Sequence, residues 1–214
     1  MSRDNFPDAA ETWNKRYDQS GFLFGTEPNA YLASHLELFI AGKSALAVAD
    51  GEGRNSVWLA RQGLNVDAFD ISPVGVEKAK DLAKASGVAV NFNVCDCDSW
   101  AWKPHAYDYV IAIFVQFADP DMRQRLFANM IKTLKPGGVL ILQGYTPKQL
   151  DYKTGGPPCA DHLYTDSLLQ SAFRDLEIIE LRSYEAEITE GEQHRGLSAL
   201  IGMVARKPSG VYKR

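Results

Sequence analysis

The chain has 214 residues, 45% of them hydrophobic and 23% charged, with a formal net charge of −4. That length supports a single domain (1–214) whose core needs no disulfide or metal staple. The acidic balance argues against nucleic acid or an anionic membrane as the main partner. No apolar run reaches the roughly 20 residues that span a bilayer, and the N-terminus has no apolar signal core. Three cysteines, an odd number, suit a reducing compartment, so the expected location is cytoplasmic.

Residues 8–18 read as a short helix, and Gly21, Gly25 and Pro28 then punctuate a loop rich in aromatic and polar residues. Ala30 to Ile40 carries enough apolar residues at helical spacing to predict an amphipathic helix stopping at Gly42. A first strand, 44–49, breaks at Asp50-Gly51-Glu52-Gly53, and a helix follows over 55–62. Next come a strand at 64–69 ending on Asp70 and a helix at 73–86 with Ser72 as its cap and proline first. A strand over 88–94 leads into Asp96-Cys97-Asp98. The run 107–114 is apolar except for Asp108, as in a buried parallel strand. A helix at 120–134 is broken by Pro136-Gly137-Gly138, after which 139–142 begins a fifth strand.

Strand and helix therefore alternate through the middle of the chain, which calls for a doubly wound α/β sheet. Residues 146–164 form a long loop without periodicity, of a kind that is usually functional. A helix near 165–173, a strand at 177–188, a polar turn at 190–193 and a strand at 197–205 complete the chain. The expected fold is a Rossmann-like seven-stranded sheet, mostly parallel, with a C-terminal antiparallel hairpin strand. A cap segment (1–42) precedes the core (43–207).

In such a sheet, ligands bind at the carboxyl ends of the strands. Gly51 and Gly53 let the backbone turn sharply and approach a ligand, and the helix beginning near Asn55 aims unpaired N–H groups at it. Asp70 lies 20 residues beyond Asp50, the spacing at which a carboxylate reaches the hydroxyls of a bound ribose. Two nucleoside readings follow. A dinucleotide turn wants G-x-G-x-x-G, but Ser56 stands at the third glycine position. S-adenosylmethionine (SAM) instead wants an acid after the third strand for the adenine, and a C-terminal hairpin. Asp96 and the hairpin meet both requirements.

The FGTEPN loop (24–29), the GEGRNS turn (51–56), VDAFDIS (66–72), CDCD (95–98), YDYVIAIF (107–114) and LKPGG (134–138) make the resemblance specific. The chain resembles the class I SAM-dependent methyltransferases of the tellurite-resistance (TehB-like) type, close to thiopurine methyltransferases, over about 13–207. The resemblance implies Gly51 and Gly53 beside the methionine and ribose, and Asp70 on the ribose hydroxyls. It implies Ile71 against the adenine, Asp96 and the Cys97 backbone at its edge, and Ile113 and Phe114 near the sulfonium. Trp13, Arg16 and Tyr17 match a W-x-x-R-Y segment that folds over the cofactor, with Arg16 the candidate partner of its carboxylate. The family's strand acid and first glycine are replaced here by Ala47 and Ala49. Asp50 is therefore expected to take the methionine ammonium.

Methyl transfer needs an aligned acceptor and exclusion of water more than it needs a base. A soft sulfur, selenium or tellurium nucleophile is one acceptor class. Tyr145, Gln149, Tyr152 and Lys153 of the long loop, and His194 and Arg195 of the hairpin turn, are the candidate acceptor-side residues, with Tyr145, His194 and Arg195 as catalytic candidates. Cys95, Cys97 and Cys159 lack the spacing of a metal site, and His35, His105 and His162 receive no role. The expected partner is a small-molecule acceptor, and the expected state a monomer or homodimer. Two other classes stay open: a SAM-binding protein without turnover, and a nicotinamide-dependent oxidoreductase.

Overall fold

The computed structural model describes residues 6–191 and 194–210, with the backbone alone at 6–8 and 194. Seven strands form one sheet in the order β3-β2-β1-β4-β5-β7-β6. They are β1 (Ser44–Val48), β2 (Asn65–Asp70), β3 (Asn91–Val94), β4 (Tyr107–Ile113), β5 (Leu134–Tyr145), β6 (Glu177–Glu190) and β7 (His194–Arg206). The first five are parallel, with Ala45 opposite both Val66 and Tyr109. Only β7 runs against the rest, inserted between β5 and β6 with Val204 opposite Ile141 and Glu180. This is the expected architecture.

The helices are α1 (Phe6–Tyr17), α2 (Ala30–Ala33), α3 (Arg54–Arg61), α4 (Pro73–Ala85), α5 (Pro120–Thr133), α6 (Gln149–Tyr152) and α7 (Asp166–Ala172). Sequence signals explain the longer ones. Ser72 caps α4, its hydroxyl accepting the Gly75 N–H at 3.1 Å ahead of Val76, Ala79 and Ala83, which are buried. Asp119 caps α5 in the same way through the Met122 N–H at 2.8 Å, and Leu126, Phe127 and Met130 face inward. Both sheet faces are covered: Leu46, Val110 and Leu140 pack with α5 and α7 on one side, and Ala45, Tyr109 and Ile141 with α2 and α3 on the other. Burial on both faces is why these strands read as continuous apolar runs.

Four local expectations change. The helix expected over 30–40 stops at Ala33, with a 3-10 turn at Leu36–Leu38 and extended backbone at Phe39. The Tyr31 carbonyl is taken by the Ser34 hydroxyl and the His35 Nδ1, both at 2.8 Å. The Tyr109 hydroxyl then donates to the Leu38 carbonyl (2.8 Å) and accepts the Ile40 N–H (3.1 Å), bonds a continuing helix would forfeit. β5 starts at Leu134 rather than 139, because Pro136-Gly137-Gly138 forms a bulge between the pairs Tyr107–Leu134 and Tyr109–Val139. The loop 146–164 contains α6 and a 3-10 turn at Ala160–His162. His194 and Arg195 lie in β7, paired with Glu190 and Thr189, and not in the hairpin turn.

Candidate functional site

The strand order reverses between β1 and β4, so a crevice opens where their carboxyl ends diverge. It holds a cavity of about 810 Å³, within the size range of small-molecule sites. The ends of β1, β2, β3 and β4 each supply part of the wall, through Ala47–Gly51, Phe69–Ile71, Cys95–Asp98 and Ile111–Phe114. The cavity thus brings together Asp50, Gly51, Asn55, Asp70, Ile71, Asp96, Cys97, Ile113 and Phe114.

The β1 turn is built under strain. Ala49 has φ 48° and Phe114, at the end of β4, φ 56°. Both are left-handed conformations that disfavour a side chain, and such residues cluster at functional sites. Gly51 needs its missing Cβ, which would lie 2.6 Å from the Tyr17 hydroxyl. Gly53 serves a different purpose from the one expected. It is absent from the cavity wall, and its Cβ would meet the Ala79 Cβ at 2.6 Å, so it allows α3 to pack on α4.

Asp50 accepts the Ser56 hydroxyl and, at 3.3 Å, the Ser56 N–H in the first turn of α3. Burial, opposed by the Ser56 bonds and reinforced by the charge of Asp70, pushes its carboxyl up to about 7. Asp70 is buried, and its two oxygens accept the N–H groups of Gly51 and Ser72, each at 2.9 Å. Burial raises it to about 6 against those backbone bonds. The Ile71 N–H is a third backbone donor to this carboxylate, and the acceptor capacity that remains suits a ribose hydroxyl.

Asp96 folds back on its own loop. One oxygen accepts the N–H groups of Asp98 and Ser99, and the other the Ser99 hydroxyl, leaving that second oxygen one lone pair toward the cavity. The Cys97 carbonyl is taken by the Trp102 indole at 2.8 Å, and burial pushes its thiol up. Among the described residues no group of three His, Cys, Asp or Glu is placed to hold a metal.

α1 lies across the mouth, lining it with Ala9, Trp13 and Tyr17. Tyr17 stacks on Trp13 (centroids 5.4 Å apart) and meets Phe24 edge-on at 6.4 Å, while Lys78 of α4 donates to the Tyr17 carbonyl at 2.8 Å. Arg16 is not part of the wall: its guanidinium lies over the Trp13 ring, 4.3 Å from the centroid.

Arg54 does reach the wall, although no role was assigned to it from the sequence. It forms a buried ion pair with Glu190 at 2.7 Å. Glu190 also accepts from Asn29 Nδ2 (2.9 Å) and the Ala30 N–H (3.1 Å), and these partners hold its carboxyl below the usual range despite burial. Asn29 in turn donates to Gln143 at 2.6 Å. One polar network therefore ties the FGTEPN loop, α3, β5 and the end of β6 together. Arg54 and Glu190 are 136 positions apart, so no local pattern could have paired them.

The long-loop candidates and Arg195 are not part of the wall. Tyr145 is buried and stacks beneath Phe114 at 4.7 Å. Gln149 pins the loop to β7 through the Ala199 N–H at 2.8 Å, and Tyr152 bonds Glu185 outside the cavity. Lys153 is exposed at the C-cap of α6, and Arg195 is on β7 away from the wall. The side chain of His194 lies outside the described residues. In their place the wall presents Phe117, Asp119, Asp121, Met122, Arg125 and His162. Arg125 is held by both Asp98 oxygens at 3.0 and 2.8 Å. The place of Asp119 on the wall depends on where α5 docks.

A methyltransferase-domain family model matches residues 45–138. The tRNA 5-carboxymethoxyuridine methyltransferase of Escherichia coli (strain K12) is 30% identical over 155 residues, 68% of this chain and 58% of that protein. The chain thus spans under two thirds of that relative's length. TehB from Haemophilus influenzae superposes with a TM-score of 0.68 at 17% identity, covering 92% of this chain and 66% of that one. A protein solved for the conversion of a disulfide bond into a thioacetal group during echinomycin biosynthesis superposes with a TM-score of 0.77 at 15% identity, covering 95% and 94%. At such identities the structural likenesses speak for the fold. The domain match and the 30% identical relative place the chain among the SAM-dependent methyltransferases, and its sheet order is that of the class I fold.

Proposed function

We propose that this chain transfers the methyl group of SAM to a small, uncharged or cationic acceptor, with a thiol the favoured class. The observation that carries the reading is Asp70, a buried carboxylate on the cavity wall whose two oxygens accept backbone N–H groups from both the β1 and the β2 turn. Ser72 already caps α4, so Asp70 is not needed as a helix cap. SAM, when bound, supplies a methyl carbon activated by positively charged sulfur. The protein's part is then to bind, orient and keep water out. Asp70 would hold the ribose, Asp50 the ammonium and Asp96 the adenine edge, while α1 and Phe114 screen the cavity.

The charge of the wall supports the acceptor class. Asp119 and Asp121 lie on its outer part, while Asp98 and Arg125 there pair with each other. That field opposes oxyanions such as selenite and tellurite, and it opposes tRNA, the substrate named for the 30% identical relative. Calorimetry with SAM, followed by S-adenosylhomocysteine (SAH) release with thiols, tellurite and tRNA, tests the reading. Binding and turnover on thiols alone is expected. Binding without turnover on any acceptor would make the chain a SAM sensor, and turnover on tRNA alone would overturn the acceptor class.

A further inference from the structure

His162 lies on the wall of this cavity, in the 3-10 turn between α6 and α7, and the functional reading gives it no task. Its Nδ1 is 2.9 Å from the Gln116 carbonyl oxygen. A carbonyl only accepts, so Nδ1 must carry the ring proton, and the neutral ring presents an unprotonated Nε2. Among the described residues Nε2 has no hydrogen-bond partner, and it is not sealed from solvent.

The carbonyl that sets this tautomer is firmly held. Gln116 is buried, and its Nε2 donates to the carbonyls of Tyr145 (2.9 Å) and His162 itself (3.1 Å), while its Oε1 accepts the Tyr145 N–H at 2.5 Å. A Cβ on Gly144 would fall 2.7 Å from Gln116, so β5 leaves that side chain no room to shift. Gln116 therefore clamps the His162 turn with its side chain and orients the ring with its backbone. That is the arrangement of a base whose second nitrogen is fixed by a partner.

We propose that Nε2 of His162 is the general base of methyl transfer and that the acceptor is a neutral thiol or phenol. The proposal rests on the methyltransferase reading. The acceptor X–H gives its proton to Nε2 as the X lone pair bonds to the methyl carbon. The carbon–sulfur bond breaks with its electron pair going to sulfur, leaving X–CH₃, SAH and an imidazolium that later loses the proton to water. The wall explains why a base is useful, since a pre-ionised acceptor would be repelled by Asp119 and Asp121. The other charged groups at this end are Arg125, paired with Asp98, Asp161, the residue before His162, and Arg123, which donates to the Asp161 carbonyl.

Nitrogen NMR of histidine-labelled protein saturated with SAH, from about pH 5.5 to 9, reads the tautomer without turnover, with His162→Gln assigning the signal. A proton on Nδ1 and none on Nε2 at high pH is expected, and a proton on Nε2 overturns the proposal. In turnover with 2-mercaptoethanol and catechol, both neutral at pH 7, His162→Gln should lose about 10²- to 10⁴-fold in kcat and the acidic limb of the pH profile, with SAM affinity unchanged. A variant that keeps the rate or the limb overturns it. Failure of both probes with normal SAM binding removes the acceptor class and this role with it. Absence of SAM binding in the wild type would instead defeat the methyltransferase reading on which the proposal stands.

Discussion

Asp50 and Asp70 make cofactor binding proton-linked, with a calculable sign. Burial raises their carboxyls to about 7 and about 6, against about 3.9 in an unfolded chain. Between those limits these two sites hold more protons in the folded ligand-free protein than in the unfolded one. Their contribution to stability therefore falls as pH rises from about 4 to about 7, then levels off. SAM, a cation, has the opposite preference and should bind the ionised carboxylates. If both must ionise, lowering pH from about 8 to about 5.5 weakens SAM binding about 30-fold through Asp50 and about 4-fold through Asp70, together about 100-fold. Calorimetry of SAM across that range checks this, with Asp50→Asn as the control. The variant should keep only the smaller factor and bind about 10-fold more weakly at pH 8, since a charge-assisted contact contributes about 1.5–3 kcal/mol. Titration of SAM's own ammonium is common to both proteins and cancels. A variant with wild-type affinity and slope would show that Asp50 serves only the Ser56 turn, and the ammonium assignment would fall.

Three other outcomes follow from the geometry. Asp70→Ala removes the ribose carboxylate and should weaken SAM binding roughly 10- to 100-fold by calorimetry; unchanged affinity would mean Asp70 only braces Gly51 and Ser72. Ala49→Gly relieves the left-handed strain of about 1–2 kcal/mol, partly offset by glycine's larger unfolded entropy, so a melting temperature higher by about 2 °C is expected in calorimetric scans. A lower melting temperature would place the strain elsewhere. Arg54→Ala strands the Glu190 charge that Arg54 meets at 2.7 Å and should cost about 3–5 kcal/mol in denaturant unfolding, much of it recovered in Arg54→Ala/Glu190→Gln. Equal losses in the single and double variants would show the pair to be inert.

The amino-acid order by itself was enough for the sheet, the switch-point site and the family, because those signals are local. Apolar runs bounded by glycine mark strands buried on both faces, Ser72 caps the helix that follows it, and Asp50, Asp70 and Asp96 must stand at strand ends once the strands are placed. What the sequence could not decide are the contacts between segments far apart. Whether Arg16 or Arg54 reaches the wall depends on Trp13 and Glu190 competing for them. The break at Ser34 depends on a hydroxyl, that of Tyr109, supplied by β4 to the residues that follow. His162 looked like an ordinary loop residue until Gln116, at the end of β4, oriented its ring. Helical and strand periodicity are written within a few residues, whereas the lining of a pocket is set by which loops the tertiary packing brings to the same strand ends.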